Sequence, residues 1–227
     1  MVPRTLIDTA EIPNGGGTLR LIRRGAEYSI MLGANELMNS RLSGSEEALA
    51  TLACERLADR PRAAVLIGGL GMGFTLRAAL AVLGSDAEVV VAELVPAVVT
   101  WARGPLAPIF GESLADPRVA LVVADVAGLI GQARSRYDAI LLDVDNGPDG
   151  LTHAANDRLY HGKGLDAARA ALRPGGMLAV WSAAPDTGFT QRLRNAGFDV
   201  DEVIVRAHGA RSGARHVVWL ATRPGGG

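Results

Sequence analysis

The sequence predicts a doubly wound α/β fold around a mostly parallel sheet, with a small amino-terminal β-appendage. Three observations lead there. Short apolar runs recur at 63–67, 88–92, 119–124, 139–142 and 177–180, and helix-like segments fall between them. Continuous apolar strands alternating with helices indicate a parallel sheet covered on both faces. A glycine loop, Gly68-Gly69-Leu70-Gly71-Met72-Gly73, follows the first run. Three of the later runs lead into an acid: Glu93, Asp125 and Asp143. Right-handed crossovers put the carboxyl ends of parallel strands on one edge. These acids and the glycine loop should therefore gather along one rim.

The elements follow in order. Residues 18–23 and 26–32 are strand-like, with Asn14-Gly15-Gly16-Gly17 and Arg24-Gly25 as breakers. They form the appendage, assigned to residues 1–44; residues 45–227 form the main domain. A helix starts near Ser45, with Glu46 and Glu47 where acids suit the positive helix end. Leu49, Leu52 and Leu57 supply its packed face. Further helices are expected at 74–83, at 96–102 behind Pro96, and at 164–172. The last is stopped by Arg173-Pro174-Gly175-Gly176. A helix at 189–196 and strands at 200–205 and 216–221 close the chain as a terminal antiparallel pair.

Composition narrows the function classes. The 227 residues suit one domain with an appendage, and 48% hydrophobic residues supply a core. A formal net charge of -1 does not mark a nucleic-acid or membrane-surface binder. Aromatics at 4% leave little for base-stacking platforms. Cys54 is the single cysteine, so no disulfide forms within the chain, and its apolar surroundings mark a buried structural thiol. His161, His208 and His216 lack metal-ligand spacing, and no metal is expected. No secretory leader pattern or bilayer-length apolar stretch is found, and a cytoplasmic location is expected.

The glycine loop contains Gly69-x-Gly71-x-Gly73 between a strand and a helix, the context in which backbone approaches a ligand closely. A dinucleotide loop needs a glycine where Phe74 stands, which argues against a nicotinamide cofactor. The Gly-Lys-Ser/Thr ending of a phosphate loop is absent. Glu93, at a strand end, suits the hydroxyls of a ribose; its ordinary alternative is a helix-capping surface acid. Asp125 suits an adenine amino group or a helix N-cap. Asp143 suits an acceptor or caps a turn.

Taken together, several stretches resemble the class I S-adenosylmethionine-dependent methyltransferase fold, and within it the spermidine synthases, the polyamine aminopropyltransferases. The resemblance rests on Val65-Leu66-Ile67-Gly68 with the glycine loop, Thr75-Leu76-Arg77, Glu93, Asp116-Pro117-Arg118-Val119 and Asp125. It continues through Tyr137-Asp138-Ala139-Ile140, Leu159-Tyr160 and Leu172-Arg173-Pro174-Gly175-Gly176. It implies a Rossmann-like, seven-stranded, mostly parallel sheet. S-adenosylmethionine or its decarboxylated form would lie on Gly69, Gly71, Gly73, Glu93 and Asp125. Asp143 would face an amine acceptor and take its proton, and Asp145 and Tyr160 would bind the acceptor. A homodimer or tetramer is implied as well.

The sequence also departs from that family. The family's loop reads Gly-Gly-Gly-Asp-Gly-Gly, and its aspartate falls on Met72, which cannot balance an ammonium charge. The acid loop Asp143-Val144-Asp145-Asn146-Gly147-Pro148 is two residues short, so Asp145 is an approximate counterpart of the second acid. A Tyr-His pair expected before Glu47 is missing. His153 can serve as a base or stand solvated on its loop, and Trp181 can wall the pocket or pack in the core. Three further readings stand beside aminopropyl transfer. They are methyl transfer to a small molecule, a nucleotide-binding protein without turnover, and, more distantly, a nicotinamide oxidoreductase.

Overall fold

The computed structural model describes residues 2–57, 59–143, 158–207 and 213–225. The seven-stranded sheet contains β5 (Ala64–Gly68), β6 (Glu88–Glu93), β7 (Val119–Val123), β8 (Tyr137–Leu142), β9 (Leu172–Ser182), β10 (Asp199–Arg206) and β11 (Arg215–Thr222). Its order is β10-β11-β9-β8-β5-β6-β7. Strands β5 to β9 run parallel, and β11 pairs antiparallel with both β9 and β10. This is the doubly wound sheet expected, with its antiparallel ending.

The apolar strands are continuous because both faces are covered. Val65 and Ile67 point to one core, and Leu66 points to the other. Alternation along a strand requires this. The first core packs against α1 (Gly44–Glu55), α2 (Phe74–Val82) and α3 (Pro96–Arg103). The short α4 (Ala107–Phe110) adds Phe110 to it. The second core packs against α5 (Val126–Gln132), α6 (Gly162–Ala171) and α7 (Thr187–Asn195). Cys54 lies fully buried in α1, and burial pushes its thiol pKa up to about 12. Among the described residues, no helix is long and apolar enough to cross a membrane.

The amino-terminal appendage is a four-stranded antiparallel sheet: β1 (Arg4–Glu11), β2 (Thr18–Arg24), β3 (Glu27–Leu32) and β4 (Asn35–Asn39). The sequence predicts only its middle two strands. β1 is exposed along almost its whole length, and β4 reads Asn-Glu-Leu-Met-Asn, so neither carries a strong apolar alternation. Leu21 and Ile30 are fully buried in the first core. Each contributes about 1.5–3 kcal/mol of transfer free energy. Trp101 Nε1 donates to Asp8 Oδ2 at 2.7 Å, which ties α3 to β1.

Strand β9 begins five residues earlier than the apolar run suggests. Tyr137 pairs with Leu172, and Ala139 with Met177, so residues 173–176 bulge between two paired stretches. The Pro-Gly-Gly stretch therefore bends a strand whose pairing starts before it.

Candidate active site

The strand order reverses at β5, whose neighbours β6 and β8 continue the sheet in opposite directions. The crevice beyond the carboxyl ends at such a point is where open α/β sheets bind ligands. A cavity of about 200 Å3 lies there. It brings together Gly69, Gly71, Gly73, Glu93, Asp125 and Asp143.

The loop between β5 and α2 turns through left-handed conformations, with φ of +90° at Gly69, +51° at Gly71 and +80° at Gly73. At Gly73 a side chain is excluded twice, because a Cβ would also strike the Phe110 ring. Gly73 N–H donates to Leu70 O at 2.9 Å, closing the turn before α2 begins.

Glu93 ends β6 and is only 7% exposed. Its Oε2 accepts from Leu70 N–H at 2.9 Å, and its Oε1 from Val95 N–H at 2.8 Å. The acid therefore braces the glycine loop from the next strand. Burial raises its pKa, and the surrounding backbone N–H groups oppose that shift. Asp125 follows β7 and is exposed on the cavity wall. Its Oδ1 accepts from Ala127 N–H at 2.9 Å and caps α5. Both readings of Asp125 are thus compatible in space: one oxygen caps, and the other remains.

Asp143 follows β8. Its N–H donates to Gly68 O at 3.2 Å, and its Oδ2 accepts from Thr75 Oγ1 at 2.7 Å. Burial raises its pKa, and the Thr75 bond opposes this. Thr75 is itself buried in the first turn of α2.

The opposite wall comes from the appendage and α1. Ile12, Leu19, Ile30, Leu37 and Met38 line it, with Glu46. Burial and the neighbouring Asp143 push the Glu46 pKa up to about 8. Trp181 lines the cavity and stands edge-on to His216, with ring centroids 5.0 Å apart.

No family model matches the chain. Polyamine aminopropyltransferase 1 of Streptomyces coelicolor is 37% identical over 127 residues, 55% of this chain and 23% of the relative. A polyamine aminopropyltransferase of Mycobacterium tuberculosis is 31% identical over 153 residues, 63% of this chain and 28% of the relative. These matches span about a quarter of the length of each relative. A spermidine synthase in complex with the transition state analogue AdoDATO superposes with a TM-score of 0.73. Spermidine synthase from Thermotoga maritima gives 0.75. Both superpositions are at 18% identity and cover 96% of this chain and 72% of the other.

Over part of its length the chain is similar in sequence to polyamine aminopropyltransferases, and its fold is similar to that of spermidine synthases. Its fold is the class I methyltransferase-like α/β fold with an amino-terminal antiparallel sheet.

Not every residue singled out from the sequence lies at the cavity. Tyr160 is 1% exposed and packs edge-on to Phe189 in the second core, outside the cavity lining. Asp145, His153 and His208 lie outside the described residues. Two features escaped the sequence reading. Glu46 looks like a helix-terminal acid, and only the fold brings it to Asp143. The apolar wall from the appendage was invisible because sequence alternation does not reveal which sheet face meets another domain.

Proposed function

We propose that this spermidine synthase-like chain transfers an aminopropyl group from decarboxylated S-adenosylmethionine to an amine. The observation that carries the reading is the charge of the cavity. Its charged lining residues are Glu46, Glu93, Asp125 and Asp143, all acidic among the described residues. Intact S-adenosylmethionine would bring a carboxylate into this lining, with no described Lys or Arg to pair it. The decarboxylated donor brings only positive charge.

In this reading the adenosine lies along the glycine loop. Glu93 lines the cavity, held by the N–H groups of Leu70 and Val95, and its carboxylate accepts from the ribose hydroxyls. The free oxygen of Asp125 accepts from the adenine amino group. The acceptor must attack as a neutral amine, whereas a free alkyl amine has a pKa of about 10. Asp143 draws the amine in and takes its proton. The nitrogen lone pair then forms the new N–C bond at the carbon beside sulfur. The C–S bond breaks toward sulfur, the positive charge is lost, and methylthioadenosine leaves. The protein mainly supplies alignment, because the sulfonium is already a good leaving group. Assembly as a homodimer or tetramer belongs to the same proposal, and sedimentation reads it.

Met72 favours a second reading, methyl transfer from intact S-adenosylmethionine, because it leaves the loop uncharged. The test is a product assay with both donors and a panel of primary amines, followed by mass spectrometry. Aminopropylated amine and methylthioadenosine in equal amounts are expected from the decarboxylated donor. Methylated product from the intact donor alone would transfer the assignment to the second reading.

A further inference from the structure

The middle of the glycine loop presents Met72, which is 3% exposed and lines the cavity with a neutral thioether. Charge must come from elsewhere. Glu93 accepts from Leu70 and Val95, Asp125 from Ala127, and Asp143 from Thr75. Glu46 meets no donor among the described residues except its own backbone N–H. Its position is nevertheless fixed. Gly44 N–H donates to Ala207 O at 3.1 Å, and Ser45 Oγ lies 3.0 Å from His216 Nδ1. These contacts anchor the first turn of α1 to the end of β10 and to β11. Trp181 also lines the cavity, and its Nε1 is buried without an acceptor among the described residues.

We propose that Glu46, paired with Asp143, holds the ammonium end of the ligand that enters this cavity. The proposal rests on the donor-site reading given above and names the residue that recognises the donor's charge. Two ionised carboxylates facing one largely apolar cavity repel each other and lose hydration. A shared proton relieves this when the cavity is empty, consistent with the raised Glu46 pKa. An ammonium group relieves it when the ligand is bound, and the proton then leaves to solvent. Asp143 at the end of β8, Glu47 on α1, and Glu93 and Asp125 at the ends of β6 and β7 add only negative charge. His216 on β11, behind Ser45, has its pKa lowered by burial and stays neutral at pH 7. The ligand's cation is therefore the group that discharges the proton.

Calorimetric titration at pH 7 in two buffers of different protonation enthalpy tests this. The ligands are decarboxylated S-adenosylmethionine and methylthioadenosine, which keeps the adenosine and sulfur but has no ammonium. The protein should release a proton to the buffer on binding the first ligand and none on binding the second. Glu46→Gln should weaken the first by at least about tenfold and leave the second within about twofold. Met72→Asp added to Glu46→Gln should recover part of the loss. Melting curves of each variant separate lost binding from lost folding. Unchanged affinity of Glu46→Gln for the decarboxylated donor, or no proton release by the unaltered protein, would overturn the role of Glu46 while leaving the adenosyl site standing. Failure of the unaltered protein to bind methylthioadenosine would overturn the adenosyl site, and this proposal with it.

Discussion

Thr75 Oγ1 donates a 2.7 Å hydrogen bond to Asp143 Oδ2, joining the first turn of α2 to the end of β8. The acid is thereby held against the helix that the glycine loop starts. The bond also favours the charged carboxylate and opposes the effect of burial. Thr75→Val should therefore raise the Asp143 pKa further. If Asp143 takes the acceptor's proton, the rising limb of the pH–rate profile moves to higher pH. The rate at pH 7 should fall about three- to tenfold. An unshifted limb would remove Asp143 from that role.

The pH dependence of stability carries the signature of Glu46. Its folded pKa is about 8, above the ordinary value of 4.5. The folded state thus keeps a proton that the unfolded chain gives up between those values. The stabilisation is fully present below pH 4.5 and is lost as pH rises through 8. Glu46→Gln should match the unaltered protein near pH 5 and melt about 3 °C or more higher near pH 8.5. Parallel melting profiles would contradict the assignment.

Gly73→Ala should be costly. The φ of +80° strains any L side chain, and the Phe110 ring occupies the space a methyl group would take. A loss of about 2 kcal/mol or more is expected by chemical denaturation. Gly128→Ala is the contrasting case. It lies inside α5, with nothing within 4 Å of an added Cβ. It should stabilise by about 0.5–1 kcal/mol. Equal effects at the two positions would discredit the loop geometry.

Asp138 holds the other edge of the sheet. It is 3% exposed and accepts from Arg60 Nη1 and Arg173 Nη1 at 2.7 Å each, and from Ala64 N–H at 2.8 Å. Asp138→Ala strips three donors of one buried acceptor and should cost about 3 kcal/mol. It lies at the amino end of β8, and Asp143 follows the carboxyl end. Ligand affinity of the folded fraction should stay unchanged. A selective loss of binding would mean that the two edges are coupled.

The parallel strands and the acidic rim were legible because both are local signals: apolar runs ending in Glu93, Asp125 and Asp143 beside glycines. Glu93 exposed the limit of that reading. The sequence offered ribose binding or a surface cap; the carboxylate is buried, which removes the surface cap, and it also braces Leu70. Glu46 was read as a helix-terminal acid because its partner, Asp143, lies almost a hundred residues away in the chain. No spacing rule joins residues that only a sheet and a helix bring together. Tyr160 matched a family position, yet its contact with Phe189 depends on how α7 packs.

The charge of the cavity can be tested most directly by equilibrium titration of decarboxylated against intact S-adenosylmethionine, at one pH and ionic strength. An all-acidic lining should favour the decarboxylated donor by at least about tenfold. Equal or tighter binding of the intact donor would contradict the aminopropyl reading.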